Sequence, residues 1–437
     1  MPAAHHPLAP AAGPHPLVLP ALVLAELLGT ALWFSSSAAL PSLVRDWGLS
    51  SAAGGLLVSA VQLGFIAGTL LFALTIVADV LPASKVFLTA AALGAVVNVL
   101  FAYSSTRLSE ALLYRFLTGI ALAGIYPVGM KVVVSWSPRG IGNTLGWLIG
   151  ALTAGTATPF LLAGLGANLP WRTVIMLASL LAVLAGLVVA WAGDGPYLGT
   201  ARRLELRRVV QVFRIGGYRR AALGYFGHMW ELYAFWVATP LLARAALEPL
   251  GLAGPAWASL GAFAVIGVGA LGCVGGGLLS SRLGSRAVAS VSLAVSGAMC
   301  VLAPLLLRVH PLLYGAGLLV WGVFVVSDSA QFSALAAQAC PQHIVGTALT
   351  LMNSVGFAIT IVSIQWVSRL FPDLGAEVAW LLAPGPLLGL LALNLLPGAE
   401  RNPALDETAP RGPAGPLIAT PFSAFNAPER SGGPSLF

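Results

Sequence analysis

The sequence predicts an all-α integral membrane protein with twelve transmembrane helices in two pseudo-symmetric six-helix bundles. Of the 437 residues, 58% are hydrophobic and only 8% are charged, whereas a soluble protein carries about a quarter charged residues. A single soluble core is excluded by length as well, because such cores stop growing at about 250–300 residues. Long apolar segments recur along the chain, and the two halves on either side of a basic central segment resemble each other.

Twelve segments are predicted to cross the membrane, and they are numbered as spans 1 to 12 in chain order. Each contains about 20 mostly apolar residues, as a membrane-spanning helix requires. The strands of a membrane β-barrel are shorter and alternate in polarity, whereas these segments are apolar on every face. The spans are residues 17–40, 52–78, 86–103, 109–134, 142–166, 173–193, 221–243, 258–280, 287–307, 311–335, 345–368 and 378–397.

The spans divide the chain into five regions. The terminal regions are rich in Pro, Gly, Ala or Ser and are predicted to be disordered. The first region lacks the basic start of a signal peptide, so span 1 is expected to stay in the mature protein. The regions are a disordered arm (1–16), a six-helix bundle (17–193), a basic cytoplasmic linker (194–220), a second six-helix bundle (221–397) and a disordered tail (398–437).

The distribution of arginine predicts the orientation in the membrane. Seven arginines fall between Arg202 and Arg220, in one segment between spans. Loops that are rich in basic residues stay in the cytoplasm. An even number of spans then places both termini in the cytoplasm, with the protein in the inner (plasma) membrane. The net charge of +7 does not indicate nucleic-acid binding, because no basic domain or nucleic-acid motif accompanies it.

The sequence gives no support to metal, ATP or enzyme chemistry. No CxxC pair or Cys–His cluster involves the three cysteines, Cys273, Cys300 and Cys340. No G-x4-G-K-[ST], HExxH or GxSxG motif occurs. We therefore predict that the protein is not an enzyme and needs no cofactor. The predicted partners are a small-molecule solute, protons and the lipid bilayer, and the predicted state is a monomer.

Matches in the same order support an internal repeat. Span 1 contains Glu26 followed by Leu, and span 7 contains Glu231 followed by Leu at nearly the same depth. Span 4 begins "LLYR" and span 10 begins "LLYG", and at this shift of 200 residues Lys131 falls opposite Gln331. The loops that follow read "SPRGIGNT" and "CPQHIVGT". Repeats of this kind characterise secondary transporters, which bind their substrate where the two halves meet.

Short motifs connect the sequence with a known family. In span 4, "RFLTG" fits the pattern R-x-x-x-G at Arg115 and Gly119. After span 2, only Asp79 fits G-x-L-x-D-R-x-G-R-[KR], with Lys85 as a basic partner. The loop after span 8, "GLLSSRLGSR", has Ser281 in place of the acid and fits the same pattern at Gly277, Leu279, Arg282, Gly284 and Arg286.

With these motifs the chain resembles the major facilitator superfamily over residues 17–397. The resemblance implies two bundles around a central site, and it implies that Arg115 takes part in proton coupling or holds an acid. It also implies a loop that locks the cytoplasmic gate through charge contacts, and this lock is expected to be weaker or rearranged because the glycines and the arginine are missing after span 2. That gating loop comprises Asp79, Lys85, Gly277, Arg282, Gly284 and Arg286. In span 5, Pro159 stands one residue earlier than in the antiporter motif, so antiport is not implied.

One glycine pattern is interpreted as packing. Gly267, Gly269 and Gly272 fit the dinucleotide fingerprint G-x-G-x-x-G, but that fingerprint follows a strand and opens a helix. This copy lies inside an apolar run. Small residues let membrane helices approach closely, so we predict a helix contact.

Ionisable residues within the spans are candidates for proton coupling. A charge at the bilayer centre costs at least about 2.5–3.5 kcal/mol, so such residues face the bundle interior and have a partner or a task. The candidates are Glu231, His228, Glu26, Arg115 and Asp328. His228 precedes Glu231 by three residues and shares its helix face, so the two form either a proton-exchanging pair or a structural one.

The repeat predicts that Glu26 and Glu231 face one central cavity from opposite bundles. Arg115 is expected to reach Glu26 and to keep it ionised, which leaves Glu231 as the acid that titrates. Lys131 either extends to the interface, pairs with Asp328 or attracts an anion.

Aromatic and polar residues near these acids are predicted to line a substrate cavity. Packing is the alternative for each aromatic residue, and hydrogen bonding between helices is the alternative for the amides, which include Gln62. The predicted lining residues are Trp33, Phe34, Trp230, Tyr233, Trp236, Lys131, Gln331 and Asn353.

These observations predict a secondary active transporter that works by alternating access. The basic residues favour a small organic anion such as a carboxylate, taken up with protons by symport. The first alternative is export of a drug or metabolite by proton exchange, because aromatic residues crowd the cavity. A signalling protein or a membrane enzyme on the same scaffold is disfavoured, because the loops are short and no catalytic motif occurs.

Overall fold

The structure is a computed structural model that describes residues 16–49, 52–75, 80–136, 141–167, 169–197, 212–341 and 344–396. Helices make up all the regular structure within these ranges, and no strand occurs there. The whole predicted tail, the predicted arm except residue 16, and residues 198–211 of the basic linker lie outside the described residues, so those predictions stay untested.

All six predicted spans of the first half are helical. Spans 1 and 4 each consist of two helices that are separated by a short break. The helices are Val18–Thr30 and Ser35–Trp47 for span 1, Ala52–Thr75 for span 2, Ala83–Ser104 for span 3, Leu108–Ala123 and Tyr126–Trp136 for span 4, Ile141–Leu165 for span 5 and Trp171–Ala192 for span 6.

The second half repeats this arrangement with different breaks. Spans 8 and 10 consist of two helices each, and span 12 begins with a 3₁₀ helix. The helices are Gly216–Leu247 for span 7, Pro255–Gly267 and Gly269–Leu283 for span 8, Ser285–Val309 for span 9, Pro311–Ser327 and Ser329–Ala339 for span 10, Val345–Leu374 for span 11, and Gly375–Leu381 and Pro384–Leu395 for span 12.

Ten segments of the described chain are long and apolar enough to cross a membrane. One of them, residues 345–395, has 51 residues and would extend about 77 Å as a straight helix, more than twice the bilayer core. It turns at Gly375, whose φ of 56° favours glycine, and therefore supplies spans 11 and 12. Span 7 is less apolar because it carries His228 and Glu231, yet most of its residues are buried in the bundle. The twelve predicted spans are thus all present.

Glycines allow spans to pack at backbone distance. On span 8, a Cβ at Gly272 would overlap the carbonyl oxygen of Val323 in span 10, and a Cβ at Gly269 would lie 2.8 Å from the carbonyl oxygen of Gly322. The interpretation as a helix contact is therefore confirmed for Gly269 and Gly272, whereas a Cβ at Gly267 would meet nothing closer than 3.7 Å.

The two halves meet along two pairs of spans. Span 5 packs on span 8, where Gly146 lies against the backbone of Cys273. Span 2 packs on span 11, where the Gln365 amide donates a hydrogen bond of 2.9 Å to the Ser59 hydroxyl. These contacts enclose spans 1 and 7, which carry the residues of the candidate site.

Candidate functional site

Arg115 is fully buried and holds the break in span 1. The chain is not helical between Thr30 and Ser35, so backbone carbonyls there lack their usual helical partners. The Arg115 guanidinium donates to the carbonyl oxygens of Leu32 at 2.9 Å and Trp33 at 2.7 Å. It also donates to Asn98 Oδ1 at 2.8 Å and to the Ser35 hydroxyl at 3.2 Å. Arg115 therefore joins spans 1, 3 and 4.

Glu26 is buried without a hydrogen-bond partner. Neither of its carboxylate oxygens has one among the described residues, and its side chain is 1% exposed. The carboxylate lies against Gly129 of span 4, so closely that a Cβ at that position would overlap it. The predicted salt bridge between Glu26 and Arg115 is wrong, because the broken backbone of span 1 occupies the guanidinium.

Glu231 is equally buried but has three donors. Its carboxylate accepts from the Trp321 indole nitrogen at 2.6 Å, from the Ser296 hydroxyl at 2.9 Å and from the Cys300 thiol at 3.2 Å. These donors lie on spans 9 and 10 of the same half. The prediction that Glu231 faces Glu26 across a shared cavity is therefore wrong.

His228 pairs with Asp328 across spans 7 and 10. Its Nδ1 lies 2.9 Å from Asp328 Oδ1, and both side chains are nearly fully buried. Its Nε2 lies 2.9 Å from the Ser329 hydroxyl. Asp328 stands at the break between the two helices of span 10. The structure thus places Asp328 beside His228 rather than beside Lys131, and it directs His228 away from the donors of Glu231.

Aromatic rings from both halves meet between the bundles. Trp33 of span 1 lies 5.0 Å from Phe65 of span 2 and 5.8 Å from Tyr233 of span 7. Phe357 of span 11 lies 4.5 Å from Phe65 and 5.4 Å from Tyr233. All of these rings are buried. The group, named the aromatic cluster, comprises Trp33, Phe34, Phe65, Phe160, Tyr233, Trp236 and Phe357.

Four of the predicted lining residues lie outside this cluster. The prediction that Trp230 lines the cavity is wrong. Its indole donates to the carbonyl oxygen of Leu381 in span 12, and its ring packs on Trp366 of span 11. Lys131 is half-buried on the second helix of span 4, Gln331 is buried on the second helix of span 10, and Asn353 is half-buried on span 11.

The predicted gating loop is described only in part. Asp79 lies outside the described residues, and Lys85 is exposed. The loop after span 8 turns at Gly284, whose φ of 81° favours glycine. Arg282 is exposed, and Arg286 donates to the backbone carbonyl of Asn394. Gly277 lies against Gly146 of span 5. A charge-contact lock stays a prediction.

Residues 22–364 match the profile of the family described as Major Facilitator Superfamily. The match covers both halves and well over half of the chain. The chain belongs to the major facilitator superfamily. A superfamily member with this fold is a multi-pass membrane transporter and not an enzyme.

Two curated relatives are described as uncharacterized transporters. The putative uncharacterized transporter YgaY of Escherichia coli (strain K12) is 32% identical over 184 residues, which are 40% of this chain and 44% of the relative. The uncharacterized transporter YgaY of Escherichia coli O157:H7 gives the same values. The match thus spans less than half the length of these relatives.

Solved structures of other superfamily transporters share the fold. A mutant of the nucleoside transporter NupG aligns with a TM-score of 0.66 at 15% identity, over 86% of this chain and 98% of that chain. The human organic anion transporter MFSD10 (TETRAN) aligns with a TM-score of 0.67 at 18% identity, over 86% of this chain and 99% of that chain. At such low identity the likeness shows the fold alone.

Several residues of this candidate site were not predicted from the sequence. Ser296, Cys300 and Trp321 hold Glu231, yet each is an ordinary residue in an apolar span. Asn98 gave a detectable signal, because an amide inside an apolar span usually hydrogen-bonds between helices. It does so here, since it accepts from Arg115 and donates to the Ser179 hydroxyl at 3.0 Å.

Proposed function

We propose that the chain is a secondary active transporter that moves a small, aromatic organic solute with proton coupling. The aromatic cluster carries this proposal. Its rings come from spans 1, 2 and 5 of one half and spans 7 and 11 of the other. Pockets for organic molecules are lined mainly by apolar and aromatic side chains, and transporters built from repeats bind their substrate between them.

An aromatic solute fits this site better than the carboxylate predicted from the sequence. The anion prediction depended on the basic residues of span 4. The two terminal nitrogens of the Arg115 guanidinium donate all four of its hydrogen bonds to protein oxygens, and only its Nε lacks a partner among the described residues, so little of this group is open to an anion in the present conformation. Lys131 is then the remaining basic candidate, and an organic anion becomes the second candidate substrate.

Proton coupling is assigned to Glu26 in this proposal. A buried carboxylate without hydrogen bonds is costly, and such groups stay neutral instead of ionising. Glu26 is in that situation, whereas three donors stabilise the Glu231 carboxylate. Glu26 would carry the proton in the present conformation and release it when the halves reorient and water reaches span 1. The coupling role predicted for Glu231 is thereby transferred to Glu26.

Alternating access would proceed by separation of the span 2 and span 11 contact. The hydrogen bond between Gln365 and Ser59 lies where span 11 ends and span 2 begins. If both termini are cytoplasmic, this contact closes the outer side. A reporter fused near Gly199 should then be cytoplasmic and one near Pro249 external. A cytoplasmic signal at Pro249 would reverse the assignment.

Counterflow in proteoliposomes tests the proposal. Neutral aromatic solutes, nucleosides, organic carboxylates and cationic dyes are compared as labelled solutes, with and without a pH gradient. We expect exchange of aromatic solutes that falls in Tyr233→Ala and persists in Trp191→Ala, since the Trp191 ring is 62% exposed outside the cluster. Exchange of carboxylates alone would restore the anion prediction. The direction of gradient-driven movement separates symport from export by proton exchange.

A further inference from the structure

Two buried N–H donors at the aromatic cluster have no acceptor. The indole nitrogen of Trp236 and the amide nitrogen of Gln62 are both unpaired within the described part of the chain. Trp236 is 1% exposed and Gln62 is 0% exposed. The Gln62 oxygen is occupied, because the Trp33 indole donates to it at 3.2 Å, so the amide group faces the cluster through Trp33.

The two donors belong to opposite halves of the protein. Gln62 lies on span 2 beside Trp33, whereas Trp236 lies on span 7, with its ring 5.2 Å from Tyr233 and 5.9 Å from Phe34. Buried donors in folded proteins are paired in the great majority of cases, and an unpaired one points to a missing partner. A flat solute that enters between the rings could accept a hydrogen bond from each half.

The charges around the cluster define the kind of acceptor. All seven cluster residues are uncharged aromatics. The Arg115 guanidinium is turned to the backbone of Leu32 and Trp33. A carboxylate buried among neutral donors would lack a counter-charge and would be costly. A carbonyl oxygen or an unprotonated ring nitrogen needs only a neutral N–H donor.

We infer that the transported solute is a planar ring compound with neutral hydrogen-bond acceptors, and that Gln62 and Trp236 recognise them. This inference rests on the proposed function, since it specifies the substrate class of the same site. The inference predicts different affinities for two ring compounds of the same shape, one with acceptors and one without. A ring with acceptors satisfies both donors, whereas a pure hydrocarbon leaves them unpaired, and a site built to donate discriminates strongly against the analogue that lacks acceptors.

Binding of a matched pair of rings tests the inference. Quinoxaline carries two ring nitrogens, and naphthalene has the same two-ring shape without them. Their affinities for the purified full chain are measured by titration of tryptophan emission. Partition into detergent affects every variant equally, so the ratio of the two affinities is compared between variants. One neutral hydrogen bond corresponds to roughly a 3- to 10-fold change in affinity.

The parent is expected to prefer quinoxaline, and Trp236→Phe should reduce the preference by roughly 3- to 10-fold. Gln62→Met is made together with Trp33→Phe, because the Trp33 indole would otherwise lose its acceptor and offer a new donor. This double variant should show the same reduction relative to Trp33→Phe alone. A change in ring stacking affects both compounds alike, so it cancels in the ratio of the two affinities. The control variants Trp191→Phe and Gln338→Met, at exposed positions, should keep the parental preference. If Trp236→Phe does not fold, the Gln62→Met substitution and the preference of the parent still test the inference.

Equal affinity of the parent for both rings would overturn the inference and leave the aromatic site of the proposed function intact. A parental preference that neither variant reduces would overturn it as well. Binding of neither ring, together with no counterflow of any aromatic solute, would instead contradict the proposed function itself.

Discussion

The Arg115 side chain should be a main determinant of stability in the first half. The substitution Arg115→Met keeps an unbranched apolar side chain but removes the guanidinium with its four hydrogen bonds. It leaves the carbonyl oxygen of Trp33 buried without its donor, whereas the carbonyl oxygen of Leu32 keeps only the Ser35 hydroxyl at 3.0 Å. Breaking a buried charged network from one side costs about 3–5 kcal/mol. We therefore expect a loss of this size in the free energy of unfolding.

The assay is the apparent melting temperature of purified protein in detergent. For a chain of 150–250 residues, 1 kcal/mol shifts the melting temperature by about 2–4 °C, and the shift is smaller in longer chains, so a decrease of roughly 3–10 °C is expected. Arg115→Lys should lie between parent and Arg115→Met, because an ammonium cannot span the same four acceptors.

The matched control is Arg45→Met. Arg45 pairs with Asp46 at the surface, where its side chain is 75% exposed. Exposed pairs contribute about 0–1 kcal/mol, so this variant should melt close to the parent. If Arg115→Met and Arg45→Met melt at the same temperature, the role of Arg115 at the break in span 1 is refuted.

Three further predictions concern the second half. Glu231→Gln should destabilise the protein by about 1–3 kcal/mol and so lower the melting temperature, because its amide nitrogen replaces one of two acceptor oxygens and faces at least one of the three donors. It should keep proton-driven accumulation per folded molecule, and loss of accumulation would return the coupling role to Glu231. His228→Ala should destabilise the protein by about 3–5 kcal/mol in a melting experiment, because it leaves the buried Asp328 without its partner. Adding Asp328→Asn to that variant should recover part of the loss, and no recovery would refute the pair. Gly272→Ala should yield no monodisperse protein in size-exclusion chromatography. Gly275 has open space around it, so Gly275→Ala should elute like the parent. Equal elution profiles of the two variants would contradict the close packing of spans 8 and 10.

The sequence was sufficient for the spans because membrane crossing depends on length and apolar composition alone. It was less accurate for their ends. Span 1 continues to Trp47, past the predicted end at residue 40, since the polar Arg45 and Asp46 extend the helix beyond the apolar region. Span 7 could be predicted despite Glu231 because apolar residues surround that acid on both sides.

The partners of the buried ionisable residues could not be predicted from the sequence. Arg115 and Glu26 lie on neighbouring spans, but the break after Thr30 presents backbone carbonyls that no sequence pattern announces. Residues three apart on a helix differ by about 60° in direction. This difference is enough to send His228 to Asp328 and Glu231 to Trp321.

Accumulation driven by a pH gradient in proteoliposomes tests the central claim most directly. The parent and Glu26→Gln are compared with an aromatic solute that the parent exchanges, and counterflow without a gradient serves as the control for folding. The claim that Glu26 carries the proton predicts that Glu26→Gln exchanges the solute as the parent does but does not accumulate it. Accumulation by Glu26→Gln at the level of the parent would contradict the claim.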